Sequence, residues 1–384
     1  MTFKQLHKSF EKKETNLFEL QKQDGFSRYI LIRSLANDHL KEIIKTHTGK
    51  ELKKGKAEEL YEILYLTEVT NDQIIEYINN KYPEIRKFRK EQEEHLPKII
   101  NEFGNVKCGI RNDNLNDTAK ELVRDKTIQS KADLETKVNE VFDSTIRGYI
   151  LWQYYNQVTN DLIEHIFNDH ENVIPTLRKI KYVDFLVKKG DDIIPFDLKI
   201  THISDDYFDL HKKGLTVSNK GNDSFLIGVN KSEIEIIKEK YKSVKKELNL
   251  PNYGSLSKSE LLDILIQKGN GDTKQFVKDT LESRNTMISE VENNLVPVEW
   301  WNYKFQGERL FKNNNRFFVF LAYKDSFEDA RPLKGKLDDI SEKVTKKLNS
   351  IITDDLNHLK YYYTKDKGLE GAYEIYSVSV LVTN

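Results

Sequence analysis

Apolar positions change their spacing near the middle of this chain, and the change divides it. From residue 1 to about 145 they recur at three- and four-residue intervals, as in Leu40, Ile43 and Ile44, in Leu60, Ile63 and Leu64, and in Ile74, Ile75 and Ile78. Ile99 and Ile100 continue the series. That spacing puts one apolar stripe on a helix, and no stretch of this region alternates with period two over a useful length. Opposite charges three or four apart, Glu42 with Lys45 and Lys54 with Glu58, suit solvated helix faces. The pattern predicts an all-helical N-terminal region, 1–145.

The character shifts around Trp152. A helix over about 150–168 is predicted to bury Trp152, Tyr155, Leu162, Ile163, Ile166 and Phe167, with Asn156, Asn160 and Glu164 as a polar row along it. The densest strand signal follows, Ile180 to Ile203, broken by one turn at Lys189-Gly190-Asp191-Asp192. Residues 231–295 return to charged helical segments. Strand character reappears at Arg316–Tyr323 and Tyr376–Val382, with a helix at about 336–354 between them. This order predicts an α/β (α+β) core over 146–384 with one sheet, interrupted by a helical insertion at about 231–295.

Composition refines the picture. The length of 384 residues suits two or three domains. Charged residues are abundant at 32%, but 19 Tyr and 19 Phe supply the bulk for a core, so a folded protein with a charged surface is expected. The net charge of −1 removes any global basic field. Local basic runs stand at 53–56, Arg86–Lys90, Arg178–Lys181 and Lys238–Lys242. Such groups contact phosphates where they converge on one face, although most runs in so charged a chain are solvated helix surface. A lone cysteine, Cys108, excludes an internal disulfide framework and a multi-cysteine metal site. The first residues lack a signal-like apolar stretch, and the longest apolar runs fall far short of a membrane span. A soluble, cytoplasmic protein with no membrane partner is expected.

The hairpin carries the sharpest chemical signal. Its arms are Lys181–Lys188 and Ile193–Ile200, and if Lys188 and Ile193 pair across the turn, opposed residue numbers sum to 381. Asp184 then faces Asp197, and alternation puts Lys199 on the same sheet face as Asp197. Two opposed aspartates in an apolar hairpin repel each other, whereas a divalent cation between them reverses the sign by favouring their ionised oxygens. Lys199 beside two carboxylates is expected to hold its ammonium form, as a positioner of phosphate or hydroxide. The competing expectation is a solvated hairpin in which Lys199 makes a cross-strand ion pair. Thr201 and His202, just past Lys199, could line the site, with a hydrogen-bonded loop histidine the preferred reading of His202; Asn156, Thr159 and Asn160 are read as solvated helix face, as contacts to a DNA backbone or as caps of an active-site water network.

Asp184 followed by Asp197-Leu198-Lys199 resembles the PD-(D/E)xK signature of restriction-endonuclease-like nucleases. The likeness is close over about 150–205 and holds only in element order beyond it; Val183 stands where the motif has proline. The resemblance implies a mixed central sheet flanked by helices, with Asp184 and Asp197 binding Mg²⁺ (or Mn²⁺ as a substitute). It implies that Glu164 on the preceding helix assists them, and that Lys199 orients or activates the attacking water. The backbone carbonyl of Leu198 is a further expected ligand. The expected activity is Mg²⁺-dependent hydrolysis of DNA, double-stranded by preference, by a restriction endonuclease in prokaryotic defence working as a homodimer. Rival expectations are a nuclease of the same fold in recombination, repair, mobile-element processing or RNA cleavage, and a non-catalytic nucleic-acid-binding protein.

Overall fold

The structure is a computed structural model that describes the chain except residues 13–15, 53–55, 105–117, 119, 126, 213–230, 255, 306–313, 355 and 364–369. Cys108 and Lys54 lie outside the described residues. The N-terminal part is helical: α1 (Phe3–Lys12), α2 (Leu17–Gln21), α3 (Phe26–Arg33), α4 (Asn37–Thr48), α5 (Ala57–Leu66), α6 (Asn71–Glu93), α7 (Leu96–Glu102) and α8 (Lys131–Val141). Thr70 caps α6 by accepting from the Gln73 amide, and Gln73 returns the contact to the Thr70 amide, so two otherwise orphaned donors are satisfied.

Helix α9 (Arg147–Asn168) leads into a three-strand meander, β1 (Ile174–Ile180), β2 (Val183–Lys189) and β3 (Asp192–His202). After it come α10 (Asp205–Lys212), α11 (Glu233–Val244), α12 (Lys258–Lys268), α13 (Gly271–Asn293) and α14 (Val296–Phe305). Strand β4 (Arg316–Ala322), helix α15 (Leu337–Ser350), β5 (Asn357–Tyr363) and β6 (Gly371–Thr383) complete the chain. The strands form one six-stranded mixed sheet in the order β1-β2-β3-β4-β6-β5. β3, β4 and β6 run parallel, and the outer pairs are antiparallel. The α/β core with one mixed sheet is therefore present, with α11–α13 over the stretch read as helical; β1, β5, α10 and α14 are added to the predicted elements.

Each sheet face is covered. Ile163 and Phe167 of α9 join Ile340, Val344 and Leu348 of α15 against Phe185, Phe196, Phe317, Val319 and Val380. On the other face Trp300 and Tyr303 of α14 and Phe208 of α10 pack on Phe318, Phe320 and Tyr361. The same face of the meander is covered by the N-terminal helices, whose Leu40, Ile44, Leu64 and Ile78 share one core with Ile174, Val183, Leu186 and Ile193. The expected boundary near 145 is thus no break in the hydrophobic core, because the apolar stripes of α3–α6 are buried on the sheet itself. No helix among the described residues is long and apolar enough to cross a membrane.

Candidate active site

Two turns set the site. Gly190, at φ +61°, supplies the left-handed residue that closes β2 onto β3. The resulting register is Lys188↔Ile193, Val187↔Ile194, Leu186↔Pro195 and Phe185↔Phe196, the pairing expected from the sequence. Tyr182, also left-handed at φ +69°, reverses β1 into β2 just ahead of Asp184. Asp184 and Asp197 stand one residue beyond the last pair, where the β2–β3 ladder ends and β3 begins to pair with β4 at Asp197↔Arg316.

Asp184 reaches back across that junction, its Oδ2 accepting the Leu198 amide N–H at 2.7 Å. Leu198, expected to lend its carbonyl, here contributes its amide. Burial and the neighbouring Asp197 push the Asp184 carboxyl up to about 7, against the opposing pull of the Leu198 N–H. The charge of Asp197 therefore acts on Asp184, although the ladder ends before pairing the two.

Asp197 has a partner that the sequence did not suggest. Arg316 Nε donates to its Oδ2 at 2.8 Å, and the Arg316 side chain is 1% exposed, over the rings of Tyr303 and Phe318. Asn315, fully buried, fastens the same junction: its carbonyl accepts the Asp197 amide, its Nδ2 donates to the Pro195 carbonyl, and its Oδ1 accepts the Tyr376 amide. One signal was present in the sequence, since a buried apolar strand headed by arginine must find that charge a counter-ion.

Lys199 departs from the solvated-hairpin expectation. Among the described residues its ammonium makes no hydrogen bond or ion pair, so the cross-strand pair of a solvated hairpin is not formed. Its pKa is lowered, by burial first and then by Arg316, with Asp197 pulling the other way. Asp197 does favour the ammonium form, as expected of a flanking carboxylate, but burial and Arg316 act more strongly against it. Arg316 already engages Asp197, and burial penalises the charge that remains.

Glu164 lies half-buried on α9, its carboxyl raised by burial and by Asp161 and lowered by Arg89 and Lys179. Its charge acts on Asp184. Among the described residues, however, no three His, Cys, Asp or Glu side chains form a group able to hold a metal ion, so Glu164 does not close a three-carboxylate set with the aspartates. The aspartates on their own do suit a hard divalent cation. They supply anionic oxygens, and Asp184 is held where a cation can take the place of its proton.

The rest of the polar row on α9 is spent on structure. Asn156 Oδ1 and Asn160 Oδ1 accept from Lys334 Nζ at 2.8 and 2.7 Å, and Thr159 Oγ1 donates to the Tyr155 carbonyl. Thr201 and His202 end β3, so His202 is a strand residue and not the expected loop histidine; it faces Asp329 at 3.7 Å, and burial lowers its pKa. A cleft of about 1140 Å³ beyond the C-terminal end of β4, lined by Tyr323, Asp325, Phe327 and Asp329, contains none of the predicted site residues. No family model, curated protein or solved structure matches the chain.

Proposed function

We propose that the chain is a divalent-metal-dependent endonuclease with a restriction-endonuclease-like core, hydrolysing DNA (duplex by preference) as a homodimer in prokaryotic defence. The observation that carries this reading is one junction of the sheet. Two mutually repelling aspartates meet there, and two residues further along β3 stands a lysine without a partner among the described residues. The defence role and the dimer rest on the resemblance of Asp184 and Asp197-Leu198-Lys199 to the nuclease signature.

Asp184 and Asp197 would hold Mg²⁺ or Mn²⁺, with the Leu198 carbonyl as a further oxygen donor and Glu164 acting on Asp184 through its charge. Such an ion supplies polarisation of a phosphoryl oxygen and a bound water of lowered pKa. The chain's own groups do the rest. The Leu198 N–H orients Asp184, and Arg316 with Asn315 fixes Asp197 against the start of β4. Lys199, two residues beyond Asp197 on the same strand, would orient the attacking water or a phosphoryl oxygen.

The test is cleavage of a plasmid and phage-DNA panel in millimolar Mg²⁺. Wild type is compared with Lys199→Ala, Asp197→Ala and an EDTA control. Discrete products from wild type, with Lys199→Ala slower by about 10²-fold or more, are the expected result. Cleavage that survives both substitutions would sink the site, and binding without cleavage would favour the non-catalytic reading.

A further inference from the structure

We propose that helix α6 and strand β1 form a phosphate-binding track that leads a nucleic-acid strand past Glu164 to the aspartate pair, with Arg89 and Lys179 as its contacts. The inference rests on the nuclease reading and adds to it a substrate path built partly from the N-terminal helices.

Helix α6 lies along β1 and is pinned to the end of α9 by an ion pair from Arg86 Nε to Asp169 Oδ1 at 3.0 Å, and Glu93 Oε2 lies 2.7 Å from the buried His165 Nε2. Residues 86 and 93 are two turns apart on one helix face, and Arg89 falls between them beside that face, near enough for its charge to act on Glu164 of α9. Glu164 immediately precedes His165. Lys179 comes to the same place from another part of the chain, since it adjoins the Ile180↔Val183 pair at the end of β1, beside Asp184 on the next strand. Two basic runs that are remote in sequence thus converge on the carboxylates.

What distinguishes this pair is that it is not used up. Arg86, between the same helices, is spent on Asp169 and Glu93. Arg89 and Lys179 are both exposed, and among the described residues neither makes a hydrogen bond or an ion pair. The acidic groups on the facing helix and at its end are Asp161, Glu164 and Asp169, of which Asp169 is held by Arg86. The fields of Arg89 and Lys179 both reach Glu164, and that of Lys179 reaches Asp184. A cation between the aspartates with an anion along the basic rim satisfies both sets of charges, and a phosphodiester backbone is the anion that fits such a line.

The experiment is fluorescence anisotropy of labelled nucleic acid titrated with the full chain in EDTA, which prevents cleavage, across a KCl series. The double variant Arg89→Ala/Lys179→Ala is compared with wild type and with Lys274→Ala/Lys278→Ala, two exposed lysines on α13. For duplex DNA the expected slope of log affinity on log salt is less steep than wild type by about 2, near 0.9 for each phosphate no longer neutralised, and unchanged in the α13 variant. A reduced slope on duplex DNA, single-stranded DNA or RNA supports the track and identifies the backbone it takes. Wild-type slopes in the double variant on every substrate that wild type binds would overturn the track and leave the nuclease reading standing. If wild type binds none of the three, both fall.

Discussion

Asp184 sits between opposing influences, and their balance has a sign that can be measured. Burial and Asp197 disfavour its charge, the Leu198 amide favours it, and the outcome is a pKa of about 7. The folded value lies above the ordinary aspartate value of roughly 3.9. The stability this group contributes is therefore fully present below the ordinary value and is lost as the pH rises through about 7. Asp184→Asn keeps an oxygen for the Leu198 N–H and removes the charge. Without metal at pH 8 the variant is expected to exceed wild type by about 2–4 kcal/mol in urea unfolding, a gap that narrows toward pH 4. Adding Mg²⁺ at pH 8 is expected to stabilise wild type and not the variant. Equal stabilities at both pH values would show that neither burial nor Asp197 disfavours the Asp184 charge.

At the scale of elements, the hairpin register was legible because a short turn and strict alternation determine it locally. Strand β1 was not, since Pro175 and an irregular register between Pro175 and Ile180 hide its pattern. Strand β5 buries Leu359, Tyr361 and Tyr363 and exposes the residues between, an alternation that was present but masked by tyrosines and charge. Glu42, spaced to meet Lys45, instead takes Lys81 and the Tyr77 hydroxyl from α6, because helix packing offered a nearer donor than the helix's own surface. The polar row on α9 likewise found its partner far along the chain. Lys334 is 3% exposed and serves both Asn156 and Asn160, so Lys334→Ala is expected to cost about 2–3 kcal/mol in chemical denaturation. With Asn160→Ala already in place, the same change should cost measurably less.

For the molecule as a whole, the shared core of α1–α6 and the meander has a direct consequence. A chain lacking residues 1–70 would expose the apolar side of β1–β3, including Ile174, Val183, Leu186 and Ile193. Such a patch in a sheet is an aggregation site. The truncated protein is expected to be insoluble or to elute as aggregate in size-exclusion chromatography, whereas a soluble, cooperatively melting product would show that the N-terminal helices form a separable unit. The same packing places α6 beside α9 and β1, which brings N-terminal residues to the neighbourhood of Glu164.

The sequence by itself determined the features whose causes are local. The 3.6-residue stripes specified the helices, alternation and the Gly190 turn specified the β2–β3 register, and that register brought Asp184 and Asp197 together. Tertiary structure decided what those residues experience. Arg316 lies 119 positions from Asp197, and Lys334 lies 174 from Asn160, separations over which no local pattern carries information. The degree of burial that lifts the Asp184 pKa and lowers that of Lys199 belongs to the packed whole, because desolvation is set by every element that covers a group.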